Sequence, residues 1–225
     1  MSTHTGKGFG QNDPHVTKWS ELVYKPKDAA LDEIIRRSEA AGLPDIAVSS
    51  FDGLHLEVLV RASGAKKVVE VGTLGGYSGV CILRALPADG FLHTFEYSDK
   101  HAKVAQETFE KNGVASRVKI HVGPAADNLA QINQDGPFDV VFLDADKGGY
   151  PEYLAWAEEH LRVGGVLLAD NAFGWGGVAR EDDGGYPREQ IAALRRFNER
   201  LAQGGRFRAT MLPTAEGLAM GVKVR

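Results

Sequence analysis

With 225 residues, 43% of them hydrophobic and 25% charged, the chain has the size and balance of one soluble domain, or of one domain with an appendage, and disorder as its main state is excluded. Its 26 Lys and Arg against 30 Asp and Glu give a formal net charge of −4, which argues against a broad basic face for nucleic acid. No apolar run approaches the roughly 18 residues of a membrane span, and the polar, Gly-rich opening lacks a secretory h-region, so a cytoplasmic protein with neither membrane nor nucleic acid as partner is expected.

Residues 1–28 show no clear period, with Trp19 and Tyr24 set among polar residues; they read as a tail or as an arm over a neighbouring site. Helical spacing begins at 29–41 (Leu31, Ile34, Ile35), after Asp28 as N-cap and before Gly42 and Pro44, and recurs over 52–62 with Leu54, Val58 and Leu59. From Lys66 onward, strands at 68–71, 91–96, 118–122, 138–143 and 165–170 alternate with helices at 78–86, 101–112, 126–134 and 151–161. That order predicts a parallel sheet with helices on both faces. The end differs: a helix at 187–203 precedes strands at 207–212 and 218–224, whose short turn requires an antiparallel pair. The expected fold is therefore α/β, a Rossmann-like doubly wound sheet, divided into an N-terminal arm and helix (1–45) and one main domain (46–225).

Ligands of such sheets bind at the carboxyl ends of the strands. The first strand runs into Glu70-Val-Gly72-Thr-Leu-Gly75-Gly76-Tyr77-Ser78, a glycine-rich turn into a helix. Glu96 closes the second strand at about the ~20-residue spacing of an acid that grips ribose hydroxyls. Glu70 would repel a pyrophosphate and attract a sulfonium and an ammonium, so S-adenosylmethionine (SAM) fits better than NAD. The fourth and fifth strands end in Asp144 and in Asp170-Asn171. Neighbouring strands lie ~4.8 Å apart, so these three can offer hard oxygen ligands to one Mg²⁺. Lys147 stands three residues beyond Asp144, within reach of whatever that ion holds, and is a candidate general base. Cys81, the only cysteine, excludes a disulfide or a multi-thiolate metal site and reads as helix packing; His55, His93 and His121 read as structural.

These motifs resemble the cation-dependent class I O-methyltransferases, the group that includes catechol and caffeoyl-CoA O-methyltransferases. The resemblance covers roughly 48–224 and rests on VVEVGTLGGYSGV (68–80), LHTFEYSD (92–99), FDVVFLDADKGGYPEYL (138–154), GGVLLADN (164–171) and MLPTAEGLAMGVK (211–223). It implies seven strands with an antiparallel one near the C-terminus. It also implies that Glu70, Gly72 and Ser78, with Val48, hold the methionine end of SAM, and that Thr73, Tyr77, Asp144 and Asp146 belong to the same wall. Glu96 takes the ribose and Ala125 the adenine. Asp144, Asp170 and Asn171 match the metal triad, and Lys147 the base.

The implied activity is methyl transfer to one hydroxyl of a vicinal dihydroxy aromatic molecule by a homodimeric enzyme. Lys147, Asn171 and Trp175 would border that acceptor, with Phe173, Tyr186, Trp19 and Tyr24 as further wall candidates. The glycines of the loop 172–185 suggest a mobile lid. Two departures stand out: Gly148-Gly149 replaces bulkier polar residues after the lysine, and Ala-Phe-Gly-Trp-Gly-Gly follows Asn171. Two other classes remain open. An NAD-dependent oxidoreductase would share the sheet and Glu96 but needs G-x-G-x-x-G and no Glu70, and a non-catalytic adenosine-cofactor-binding module has no need of the triad or Lys147.

Overall fold

A computed structural model describes residues 13–225. The seven strands are β1 (Lys67–Val71), β2 (Phe91–Glu96), β3 (Val118–Val122), β4 (Phe138–Leu143), β5 (Leu161–Ala169), β6 (Phe207–Leu212) and β7 (Leu218–Lys223). They form one sheet in the order β3-β2-β1-β4-β5-β7-β6. Pairing is parallel from β3 to β5, and β7 runs antiparallel to both of its neighbours. The helices are α1 (Pro14–Tyr24), α2 (Ala29–Ala40), α3 (Ser50–Ala62), α4 (Tyr77–Ala85), α5 (Asp99–Lys111), α6 (Ala125–Asn128), α7 (Tyr150–His160) and α8 (Arg188–Gln203).

Alternation along each strand divides the core into two layers. Val68, Leu92, Val140 and Leu168 face α2 to α5, meeting Ile34, Leu56, Ile82 and Phe109. Val69, Phe95, Val141 and Leu167 face α7 and α8, meeting Leu154, Leu194 and Phe197. Because α2 buries Leu31 and Ile34 in the first layer, residues 29–40 pack as part of the sheet domain. Between β1 and β4 the chain order reverses direction across the sheet, which opens the crevice where the site lies.

Strands β2, β3, β4 and β6 keep the predicted bounds, β1, β7 and the longer helices shift by one or two residues at an end, and three segments depart further. Residues 14–24 are helical, with Asp13 accepting the His15 N–H at 2.8 Å and Pro14 in the first turn. Of that helix only Ser20 is buried, so its apolar residues never mark a core-facing stripe. The segment 126–134 divides into α6 and a 3-10 turn, Leu129–Asp135. Strand β5 starts at Leu161 rather than 165, because Gly164-Gly165 sits at an irregularity within the strand: Phe138 pairs with Leu161, and the register shifts before Val140 pairs with Val166. Among the described residues, no helix is long and apolar enough to cross a membrane.

Candidate active site at the strand ends

A cavity of about 890 Å³ opens at the carboxyl ends of the central strands. Its floor depends on Gly72, at φ +106°, where an added Cβ would stand 2.0 Å from the Asp144 carbonyl oxygen. Only glycine lets the first turn lie this close to the end of β4. The next residues turn the chain into α4, and the Leu74 N–H donates to Glu96 Oε2 at 2.8 Å. The Ser98 N–H donates to Glu96 Oε1 at 2.9 Å, and His101 Nδ1 lies 3.2 Å from the same oxygen. Glu96 is thus fixed at the cavity edge with spare lone pairs.

Glu70 lies elsewhere. It points into the first core layer, is fully buried, and accepts from Ser78 Oγ and Thr94 Oγ1, each at 2.6 Å. Thr94 is linked in turn to Thr73 at 2.6 Å. Burial pushes the Glu70 carboxyl up to about 7, and the charges of Asp144 and Glu96 act in the same direction. Gly72, Thr73, Tyr77 and Ser78 line the cavity, as do Val48, Ala125 and Asp146, while Glu70 sits one side chain behind them.

The ends of β4 and β5 stay in register beyond the strands, because the Asp144 N–H donates to the Val71 carbonyl and the Asp170 N–H to the Leu143 carbonyl. Asp144 and Asn171 reach the cavity; Asp170 lies beneath it, 2% exposed. Desolvation holds the Asp170 carboxyl well above the usual carboxylate range, helped by the charges of Asp144 and Asp52. Its Oδ1 is buried with no hydrogen-bond partner. Asn171, at φ 55°, donates its amide to Glu216 Oε2, which leaves the amide oxygen as its other polar atom. Among the described residues no group of three or more His, Cys, Asp or Glu side chains gathers for a metal. The triad's two carboxylates and one amide are a different donor set, and an orphaned buried oxygen beside a second carboxylate suits a cation.

Lys147 is 6% exposed and lines the cavity. Its Nζ donates to Asp144 Oδ1 at 3.1 Å and to the Tyr150 hydroxyl at 2.7 Å. Asp146 is occupied on both oxygens: Oδ1 accepts from the Tyr153 hydroxyl at 2.7 Å and Oδ2 from the Gly149 N–H at 2.8 Å. A Cβ at 149 would stand 2.6 Å from the Tyr153 ring, so the second glycine after the lysine is the space that lets this tyrosine reach the cavity wall.

On the far side Trp175, at φ 53°, lines the cavity and stacks on Tyr186, with centroids 4.7 Å apart and planes at 21°. The other aromatic candidates are placed differently. Trp19 and Tyr24 are 58% and 59% exposed on α1, off the wall, and Phe173 covers Gly217. The glycine-rich loop is fastened to α8: Arg195 donates to the carbonyls of Gly177 (2.9 Å) and Val178 (3.1 Å) and pairs with Asp183 at 2.9 Å. Tyr150, Tyr153 and Gln190 also border or back the site without being marked by the sequence, although the two tyrosines stand inside FDVVFLDADKGGYPEYL (138–154). Their positions in the first turn after a strand-end loop were the available signal.

The O-methyltransferase family profile matches residues 21–224. The chain belongs to the O-methyltransferase family. It is 38% identical over 210 residues to a catechol O-methyltransferase of Niastella koreensis, an alignment spanning 90% of this chain and 93% of that protein. Two solved structures resemble it closely. The O-methyltransferase from Bacillus cereus in complex with SAH has a TM-score of 0.85 at 36% identity, covering 93% of this chain and 97% of that one. TomG from Streptomyces achromogenes, involved in tomaymycin synthesis and in complex with SAM, has a TM-score of 0.85 at 34% identity, covering 94% and 96%. The enzyme is thus a SAM-dependent O-methyltransferase of class I fold, and the oxidoreductase and non-catalytic readings fall away.

Proposed function

We propose that the enzyme moves the methyl group of SAM to one hydroxyl of a catechol-type acceptor, a vicinal dihydroxy aromatic, with a divalent cation beside the catalytic lysine. The observation that carries this reading is the meeting of Lys147, Asp144 and the partnerless Asp170 oxygen at two adjacent strand ends, on the cavity that also holds the glycine turn and Glu96. Glu96 accepts from the ribose hydroxyls, Ala125 meets the adenine, and Gly72, Thr73, Tyr77 and Ser78, with Val48, Asp144 and Asp146, surround the methionine end. Glu70, behind Ser78, is a carboxyl that the cationic sulfonium and ammonium of a bound cofactor would draw toward its ionised form.

Asp144, Asp170 and Asn171 would hold the cation, and an all-oxygen set suits Mg²⁺. When bound, the ion supplies Lewis acidity that eases ionisation of a phenol. Lys147 takes the proton of the acceptor hydroxyl. Trp175, backed by Tyr186, walls the aromatic ring and keeps water from it. Positioning of this kind can be worth roughly 7–11 kcal/mol of the barrier. The name of the Niastella koreensis relative supports a catechol acceptor. A second copy of the chain covers the exposed apolar face of α1, where Trp19, Leu22 and Val23 are each more than half exposed, making a homodimer. EDTA is expected to abolish methylation of catechol and Mg²⁺ to restore it; undiminished turnover in EDTA would refute the cation.

A further inference from the structure

Among the described residues Tyr150 is the largest fully buried side chain, and of the groups proposed to act in the reaction its hydroxyl meets Lys147. Its ring packs edge-on against Phe197, with centroids 5.2 Å apart. A phenylalanine would make that contact as well, so the hydroxyl calls for a separate account. The oxygen lies 2.9 Å from the Asp170 carbonyl, 3.1 Å from the Leu143 carbonyl and 2.7 Å from Lys147 Nζ.

Carbonyl oxygens only accept, so the single phenolic proton is committed to them and the tyrosine oxygen can only accept from Lys147. The Asp144 carboxylate, 3.1 Å from the same nitrogen, also only accepts. Two directions at the nitrogen are therefore filled by its own N–H bonds, whether it is an amine or an ammonium. The third carries either the lone pair or the remaining proton, and Lys147 is on the cavity wall.

We infer that Tyr150 is a positioning residue for methyl transfer: held by the carbonyls at the ends of β4 and β5, its hydroxyl turns the one uncommitted valence of Lys147 toward the acceptor. This rests on the reading of Lys147 as the group that takes the acceptor's proton. The acceptor O–H proton passes to the lysine lone pair, giving an ammonium. The freed oxygen pair forms the O–CH₃ bond as the C–S bond breaks, and sulfur keeps the electrons of that bond. The ammonium returns its proton to water after the product leaves.

The test compares wild type, Y150F, K147M and the double variant by kcat, KM for catechol, and SAH affinity by calorimetry. A general base contributes about 10²–10⁴-fold, and a misplacement near 1 Å can cost about 10². Y150F is expected to lower kcat about 10–100-fold while KM and SAH affinity stay within about twofold. In the K147M background the same change is expected to cost nothing further, since no base is left to aim. An unchanged kcat in Y150F, or the same loss in the K147M background, would overturn the positioning role. An unchanged kcat in K147M removes the base reading itself and the inference with it. For a Y150F that does not fold, 2,3-difluorotyrosine at 150 keeps the ring and the donor while weakening the acceptor, and an unchanged kcat there would also overturn the proposal.

Discussion

Glu70 makes the stability of the cofactor-free enzyme depend on pH in a direction that the common surface carboxylate does not. Buried at 0% exposure and bonded only to Ser78 and Thr94 hydroxyls, its carboxyl is pushed from 4.5 to about 7. Between those values the folded chain holds a proton that the unfolded chain has released, so the native state binds more protons and stability falls as pH rises. At 1.36 kcal/mol for each tenfold change, the loss accumulated by pH 8 is about 3 kcal/mol, most of it arising above pH 5. Glu70→Gln removes the charge at nearly constant shape. Its Oε1 can accept from Ser78 while Nε2 donates to Thr94, whose own proton can turn to Thr73, a pair in which either oxygen can donate. Urea unfolding of both proteins without cofactor at pH 5 and pH 8 is the assay, with equal m-values required for the comparison. Titrating groups away from Glu70 are common to both proteins and cancel in the difference, while Asp144 and Glu96, which feel its charge, add a smaller change. Glu70→Gln should gain about 2–3 kcal/mol on wild type between the two pH values and be the more stable protein at pH 8. Parallel pH dependence in the two proteins would refute a buried, cation-free Glu70.

Two substitutions probe the walls. Gly72→Ala places a methyl on the Asp144 carbonyl in a left-handed backbone and should destabilise by about 1–3 kcal/mol or more while abolishing SAH binding, as thermal melting and calorimetry would show; a protein that still binds SAH like wild type would contradict the close approach. Arg195→Met unfastens the loop from α8, so KM for catechol should rise about tenfold at unchanged SAH affinity, roughly the effect of losing one charge-assisted bond of ~1.5 kcal/mol. An unchanged KM would show that the loop holds its place without that arginine.

The parts legible in the chain are those fixed by order along it. Apolar runs at strand spacing give β2 and β4 their ends, and the rule that ligands gather at strand carboxyl ends then selects Gly72, Glu96, Asp144 and Asn171 with no knowledge of packing. What resisted reading depends on distance between elements. Helix α1 has apolar residues but buries only Ser20, so no period betrays it. The same limit separates Glu70 from the wall: a strand-end acid reads as a ligand group, but whether it faces the cavity or the helix above depends on strand parity, and at 70 the parity turns it inward with Val68. Gly149 shows how a departure from family pattern becomes informative once neighbours are known. In sequence it removes a polar side chain; in the fold its missing Cβ is the room in which Tyr153 reaches Asp146. Tyr150 follows the same logic one turn earlier. Its place three residues after the lysine is visible in any reading, but its role depends on two carbonyls from different strands that meet only when the sheet is formed.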